Sequence, residues 1–207
     1  YTMWAHQIKT PIAAMRLTLA EQDSPESREL SVQLTRIEEY VDMVMCYIRL
    51  ESSSTDYVIR ECSLDGIIRA ALRKFSSQFI RKKLTLEYAP VEYTVLTDEK
   101  WLIFVVGQVL SNSLKYTKTG GIRIDFRDGV LRISDTGIGI APEDLPRIFD
   151  KGFTGCNGRS DMKASGLGLY LCRRICGALG HSITAESGDG GTTVSIDLSR
   201  DSVDVRE

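Results

Sequence analysis

The sequence predicts two architectures in series: an all-α helical hairpin over residues 1–52, then an α+β sandwich with a mixed sheet over 57–200, followed by a short tail, 201–207. Three observations predict it. Apolar residues recur at helical spacing through the first fifty positions. The polar stretch "ESSST" (51–55) then breaks the pattern. Beyond it, short strands mix with helices without strict βαβ alternation, which suits a mixed sheet carrying helices on one face.

The hairpin follows from two stripes. Trp4, Ile8, Ile12, Met15 and Leu19 are spaced 4, 4, 3, 4, a helical face. "DSPES" interrupts, with Ser24 placed to cap a second helix and Pro25 suited to its first turn. Leu30, Leu34, Ile37, Val41, Val44 and Ile48 then follow a heptad spacing of 4, 3, 4, 3, 4. One hairpin buries too little alone, and a second copy completing a four-helix bundle is the simplest partner.

The region from residue 57 onward reads in order as follows. "YVIREC" predicts a strand and "SLDGIIRAALRKF" a helix capped by Ser63. "LTLEYA" and "YTVLTD" predict strands, and "EKWLIFVVGQVLSNSLKYT" a long helix. "GIRIDFRDGVLRISD" predicts a hairpin turning at Asp128-Gly129. "PEDLPRIF" predicts a short proline-led helix, "GLGLYLCRRICGALG" a helix closed by Gly180, and "HSITAES" with "TTVSIDL" the last strands.

Composition excludes some functions. A net charge of −2 gives no basis for a polyanion-binding surface, so nucleic acid is not an expected partner. Five cysteines, an odd number without repeated spacing, argue against a disulfide framework. Cys172 and Cys176, inside an apolar helical run, read as reduced core thiols, and a cytoplasmic setting is the expectation. No apolar run approaches the ~20 residues of a membrane span. The chain opens in mid-pattern, without a cap or signal peptide, as expected of a piece cut from something longer.

Several residues carry chemistry. Gln108, Asn112 and Lys115 share one face of the long helix, with an oxygen donor and an ammonium suited to phosphates and Mg²⁺; a solvated helix face has the same pattern. "DTGIGI" (135–140) follows a strand, so Asp135 sits where a carboxylate can accept a hydrogen bond from an adenine amino group, although a tight turn reads alike. "SGLGLYL" (165–171) opens a helix whose backbone N–H groups offer an anion site. Residues 141–164 between them, polar and poorly patterned, fit a lid over a ligand. "GDGGTT" (188–193) supplies a last glycine turn.

Their order is more specific than any one of them. With "HQIKTP" upstream, the asparagine helix, D-x-G-x-G, the phenylalanine-bearing segment, the G-x-G-opened helix and G-G-T form the ordered H, N, G1, F, G2 and G3 boxes. The chain resembles the cytoplasmic catalytic core of bacterial sensor histidine kinases over about residues 1–200. The resemblance implies a dimerisation and phosphotransfer hairpin followed by a Bergerat-type ATP-binding sandwich, an ATP-dependent protein-histidine kinase, and a response regulator as acceptor. It implies His6 as phosphoacceptor, Asn112 as Mg²⁺ ligand, Lys115 at the phosphates and Tyr116 beside the nucleotide. Asp135 would read the adenine, with Gly137, Gly139 and Ile140 beside the base. Phe149 and Phe153 would anchor the lid, Gly166, Leu167, Gly168 and Leu169 would lie along the triphosphate, and Thr192 belongs to the last box. Thr10, one turn after His6, would orient water for dephosphorylating the regulator.

The chain departs from the pattern twice. Gln7 stands where many relatives carry a carboxylate after the phosphoacceptor; its carbonyl can fix the imidazole tautomer without acting as a base. Gln108 replaces the usual first asparagine of its box, and where related ATPases use a glutamate to activate water it cannot do so. That disfavours the alternatives, a self-contained Bergerat-fold ATPase or a degenerate nucleotide-binding core. "HQIKTPI" also resembles short sensor kinases of Gram-positive bacteria that work beside peptide-antibiotic transporters, which implies two membrane helices and an ABC transporter as partner. His181 reads as structural.

Overall fold

A computed structural model describes residues 2–22, 24–51, 57–155, 165–188 and 190–199, with side chains from Gln7 onward. The chain divides into two compact units, Tyr1–Thr55 and Asp56–Glu207. Residues 52–56 of the expected linker at 51–57 and the tail at 201–207 lie outside the described residues.

The first unit is a hairpin of α1 (Thr2–Ala20) and α2 (Pro25–Glu51). A reciprocal capping box starts α2: the Ser27 amide donates to Ser24 Oγ and the Ser24 amide to Ser27 Oγ, both at 3.1 Å. The ion pairs Lys9–Asp42 (2.7 Å) and Arg16–Glu38 link the helices in antiparallel register. Ile12 of α1 and Leu34, Met43 and Cys46 of α2 are buried. The predicted seam is covered only in places: Ile8 and Met15 on α1, and Leu30, Ile37 and Val44 on α2, remain exposed at seven-residue intervals.

The second unit holds two sheets. A mixed five-stranded sheet has the order β2 (Thr85–Tyr88), β4 (Gly121–Arg127), β5 (Val130–Asp135), β7 (Gly191–Asp197), β6 (Ser182–Gly188). Only the β2–β4 pair is parallel. β1 (Arg60–Ser63) and β3 (Thr94–Thr97) pair separately as an antiparallel ribbon, a division that strand-by-strand patterning did not anticipate. Asp128 and Gly129 both take positive φ, 53° and 77°, as a two-residue hairpin turn requires.

Helices α4 (Glu99–Tyr116) and α5 (Gly168–Ala178) pack on the large sheet, and α3 (Leu64–Lys82) packs against α4 and the ribbon strand β1. Alternation decides which face: Ile122, Ile124, Leu131, Ile133, Val194 and Ile196 are buried. Their neighbours Arg123 and Asp125 instead form ion pairs with Glu87 (2.6 Å) and Arg132 (3.8 Å). Ser63 caps α3 as predicted, accepting from the Gly66 amide at 3.2 Å. The buried Asp98 caps α4 through the Lys100 and Trp101 amides and also accepts from the Val58 amide at 2.8 Å, which ties the ribbon to this helix. Cys62, Cys172 and Cys176 are buried thiols outside any disulfide, and burial pushes Cys176 up to about 12. His181 is buried, with Nε2 3.1 Å from Thr97 Oγ1.

One expected element differs. "PEDLPRIF" forms only a 3₁₀ turn at Leu145–Arg147. Pro146 lies four residues after Pro142, lacks the N–H that an α-helix would bond back, and would press its ring on that carbonyl. The chain proceeds by three-residue steps instead: Arg147 N to Asp144 O (2.9 Å) and Asp150 N to Arg147 O (2.9 Å).

Asp65, in the first turn of α3, fastens the crossing between β2 and β3. It accepts from the Tyr88 hydroxyl, the Val91 amide (3.2 Å) and Arg69 Nε (2.6 Å). The Tyr88 hydrogen bond is the main reason its pKa is held below the ordinary carboxylate value. A depressed folded pKa stabilises the fold above the unfolded pKa, about 3.9, and that stability is lost as pH falls through the folded value. Asp65→Asn is therefore expected to lower the thermal midpoint at pH 7. The gap to the wild type should narrow below about pH 4; thermal melts at pH 7 and pH 3 check this.

Candidate functional site

The site is built around Asp135, the last residue of β5. Three donors fix its carboxylate. Oδ1 accepts from the amide of Gly137 in its own turn (2.9 Å) and from the amide of Thr192 (3.3 Å), which faces Asp135 across the β5–β7 ladder. Oδ2 accepts from the hydroxyl of Ser113 on α4 at 2.9 Å. Gly191 takes φ +119°, and a Cβ there would collide with the Asp135 backbone carbonyl. Only glycine lets β7 run this close.

Residues 137–140 leave the strand end as a pinned loop. The Ile138 amide donates to the Tyr116 carbonyl at 3.3 Å, joining the loop to the end of α4. The Ile140 amide donates to Ser187 Oγ at 2.8 Å; Ser187 Oγ donates in turn to the Gly191 carbonyl at 3.0 Å and lies 3.1 Å from Thr192 Oγ1. A Cβ on Gly137 would stand 2.9 Å from the Tyr116 carbonyl, and one on Gly139 2.6 Å from the Gly188 carbonyl. The loop therefore lies backbone against backbone, with the Ile138 side chain exposed.

Helix α4 presents the predicted stripe. Val105, Val106, Val109 and Leu110 are fully buried, whereas Gln108, Asn112 and Lys115 are partly open. Lys115 Nζ lies 4.9 Å from the centre of the Tyr116 ring. Lys82 of α3 donates to the Leu114 and Thr117 carbonyls, so an ammonium caps the negative end of α4 where these residues sit. Burial lowers the pKa of Lys82. Gln108 lies against the start of α5: a Cβ on Gly168 would come within 2.9 Å of its Oε1.

The neck of the predicted lid is also defined. The Gly152 amide donates to the Gly166 carbonyl at 3.0 Å, and a Cβ on Gly166, at φ +65°, would strike the Gly152 backbone. This contact joins the middle of the predicted 141–164 segment to the chain just past its end. Phe153 stacks under Arg147 (4.7 Å), and Arg173 of α5 lies 5.9 Å from the Phe149 ring. The Leu167 amide donates to Ser165 Oγ at 3.3 Å, and Gly168 and Leu169 open α5. Residues 156–164 of the lid lie outside the described residues.

The structure thus brings Asp135, Gly137, Gly139, Ile140, Thr192 and the end of α4 together through backbone and side-chain hydrogen bonds, while Phe149 and Phe153 lie against Arg173 and Arg147. Gln7 and Thr10 are exposed on α1 and Pro11 lies inside that helix. The His6 side chain lies outside the described residues. Sequence reasoning missed Ser113, Ser187, Lys82 and Gly152. Ser113 left a signal, a small hydroxyl on the buried side of an otherwise apolar helix; Lys82 and Ser187 left none.

The family model described as histidine kinase-, DNA gyrase B-, and HSP90-like ATPase matches residues 97–202. The sensor histidine kinase YxdK of Bacillus subtilis is 31% identical over 92% of this chain and 61% of its own length. The sensor protein BceS of Halalkalibacterium halodurans is 34% identical over 98% and 63%. The sensor histidine kinase GraS of Staphylococcus haemolyticus is 38% identical over 93% and 58%. The chain spans about three fifths of the length of these relatives. Among solved structures, full-length ShkA in complex with AMPPNP aligns with a TM-score of 0.66 at 23% identity, covering 94% of this chain and 44% of that one. The histidine kinase AdeS of Acinetobacter baumannii aligns at 0.62 and 20%, covering 94% and 97%. These two share the fold.

Gly191→Ala is expected to cost about 2–4 kcal/mol of unfolding free energy, because neither Asp135 nor β7 can withdraw without breaking the sheet. Gly177→Ala, inside α5 with nothing within 4 Å of a new Cβ, should be neutral or stabilise by up to about 1 kcal/mol. Urea unfolding of the two variants measures the contrast.

Proposed function

This chain belongs to the histidine kinase-, DNA gyrase B-, and HSP90-like ATPase family, on its sensor histidine kinase branch, and from that premise we propose that it is the cytoplasmic portion of a bacterial membrane-bound, ATP-dependent protein-histidine kinase. The observation that carries the proposal is the convergence of α4, the 137–140 loop and the start of β7 on the Asp135 carboxylate.

In this reading the open acceptor capacity of Asp135 takes the adenine amino group, and the close-packed backbone at Gly137, Gly139 and Ile140 leaves room for the flat base. Tyr116 and Thr192 flank the nucleotide. Lys115 meets the phosphates from the open stripe of α4. The backbone around Gly166, Leu167, Gly168 and Leu169 receives the triphosphate at a helix start, where N–H groups and dipole favour anions. Phe149 and Phe153 anchor the lid at the glycine neck.

The donor chemistry fits Mg²⁺. Among the described residues, no three His, Cys, Asp or Glu side chains form a cage for a metal ion. Asn112 offers one hard oxygen on the same stripe as Lys115, the arrangement for an ion that shares its shell with substrate phosphates. Such an ion would neutralise charge on those phosphates.

The acceptor is His6. Its neutral imidazole, available near pH 7 because the ordinary pKa is about 6.5, attacks the γ-phosphorus through one ring nitrogen. The bond from that phosphorus to the bridging oxygen breaks and ADP leaves. The other ring N–H donates to the Gln7 carbonyl, which holds the tautomer. The phosphoryl group then passes to an aspartate of a response regulator. Thr10 orients a water that hydrolyses the regulator's phospho-aspartate to aspartate and inorganic phosphate, giving a phosphatase activity. Gln108 carries no base to activate water, so catalysis rests on positioning and charge stabilisation rather than ATP hydrolysis.

A second copy of the chain covers the exposed line of Ile8, Met15, Leu30, Ile37 and Val44 as a four-helix bundle. Completing their burial contributes on the order of 5 kcal/mol per chain. A peptide-antibiotic ABC transporter is the proposed upstream partner, on the likeness of "HQIKTPI" to kinases of that kind.

Incubation with Mg²⁺ and γ-labelled ATP tests the proposal. An acid-labile, base-stable label is expected on the wild type and absent from His6→Gln; nucleotide binding without any label would oppose the assignment. Thr10→Ala is expected to keep autophosphorylation within about threefold and to lose most phosphatase activity, by the loss of one positioned hydrogen bond to water. Equal loss of both activities would make Thr10 structural.

A further inference from the structure

We propose that Ser113 is a positioning residue for base recognition, aiming the Asp135 carboxylate and leaving one acceptor site for the nucleotide. The proposal deepens the reading of Asp135 as the group that meets the adenine, and rests on it. A carboxylate has about four acceptor positions. Among the described residues three are occupied: two on Oδ1, by the Gly137 and Thr192 amides, and one on Oδ2, by the Ser113 hydroxyl. The remaining position lies on Oδ2, so the oxygen that Ser113 touches is the one that reads the base.

The two kinds of donor differ in what they hold. The Gly137 and Thr192 amides belong to the backbone of the turn and the sheet and grip Oδ1 alone. Turning the carboxylate about its terminal bond moves both oxygens, and among the described residues only the Ser113 hydroxyl meets Oδ2. Ser113 is itself 3% exposed, so water does not readily replace its hydroxyl, and the hydrogen bond to a charged acceptor is stronger than a neutral one. Ser113 also follows Asn112 directly and precedes Lys115 by two positions. The same helical turn therefore carries the phosphate-side groups and the group that aims the base-reading oxygen, and Lys82 caps that turn from α3.

The test compares two nucleotides that differ by one donor: ATP, and purine riboside triphosphate, which has hydrogen in place of the 6-amino group. Affinities for both are measured by titration calorimetry on the wild type, Ser113→Ala, Asp135→Asn and the double variant, with apo melting temperatures to show that each is folded. Ser113→Ala is expected to weaken ATP about fivefold to tenfold and to leave the des-amino analogue within twofold. The double variant should bind ATP no more weakly than Asp135→Asn. Equal weakening of both nucleotides by Ser113→Ala, or no weakening of ATP, while Asp135→Asn loses most of the wild-type preference for ATP over the analogue, would overturn the role of Ser113 alone. Failure of Asp135→Asn to distinguish the nucleotides by less than the wild type does would remove the base-reading role of Asp135, and this proposal with it.

Discussion

The carboxylate of Asp135 is the junction on which the second unit's site depends. It ends a strand buried in the middle of the sheet, and its three donors come from a turn, a neighbouring strand and a helix. Each donor belongs to an element with a separate reason to be rigid. β5 is clamped between β4 and β7, α4 is buried along Val105, Val109 and Leu110, and the turn is bonded to Tyr116 and Ser187. A charged group held this way costs little further entropy when a ligand arrives.

Close backbone approach is the second constraint, and it follows from the first. For the Thr192 amide to reach Oδ1, β7 must begin against the carbonyl of Asp135, which excludes a Cβ at position 191. The same device brings Gly166 against the Gly152 backbone. The glycine clusters therefore serve the architecture by letting backbone lie against backbone. The cation of Lys82 completes the arrangement by satisfying carbonyls at the end of α4 that no further helical turn would bond.

Much of this was legible in the sequence because the signals were local. Ser24, Ser63 and the Asp128-Gly129 pair act within a few residues of themselves, and the apolar alternation of Ile122, Ile124, Leu131 and Ile133 states directly which face is covered. Asp135 and the glycine boxes were legible as an ordered set. What escaped was long-range. The separate β1–β3 ribbon pairs residues more than thirty positions apart, and the hydrogen bonds of Lys82 to α4 and of Ser187 to Ile140 likewise join positions far apart in the chain. The proline-led helix was misread for a local reason: Pro142 favours a helix start, but Pro146 removes the bond that would continue it. On the hairpin, among the described residues, only Ile12 and Leu34 of the two predicted stripes are buried, and the buried Met43 and Cys46 lie outside the predicted seam. The heptad spacing carries no information on which residues a single hairpin covers by itself.

The central claim is that this chain moves the γ-phosphoryl group onto its own histidine rather than onto water. The most direct test follows phosphate balance over time, with protein-bound phosphate and free inorganic phosphate quantified in the same Mg²⁺–ATP reaction. The account predicts bound phosphate rising toward at most one per chain, with inorganic phosphate remaining far below it while no regulator is present. Linear release of inorganic phosphate with no accumulation on the protein would contradict the account and make the chain an ATPase.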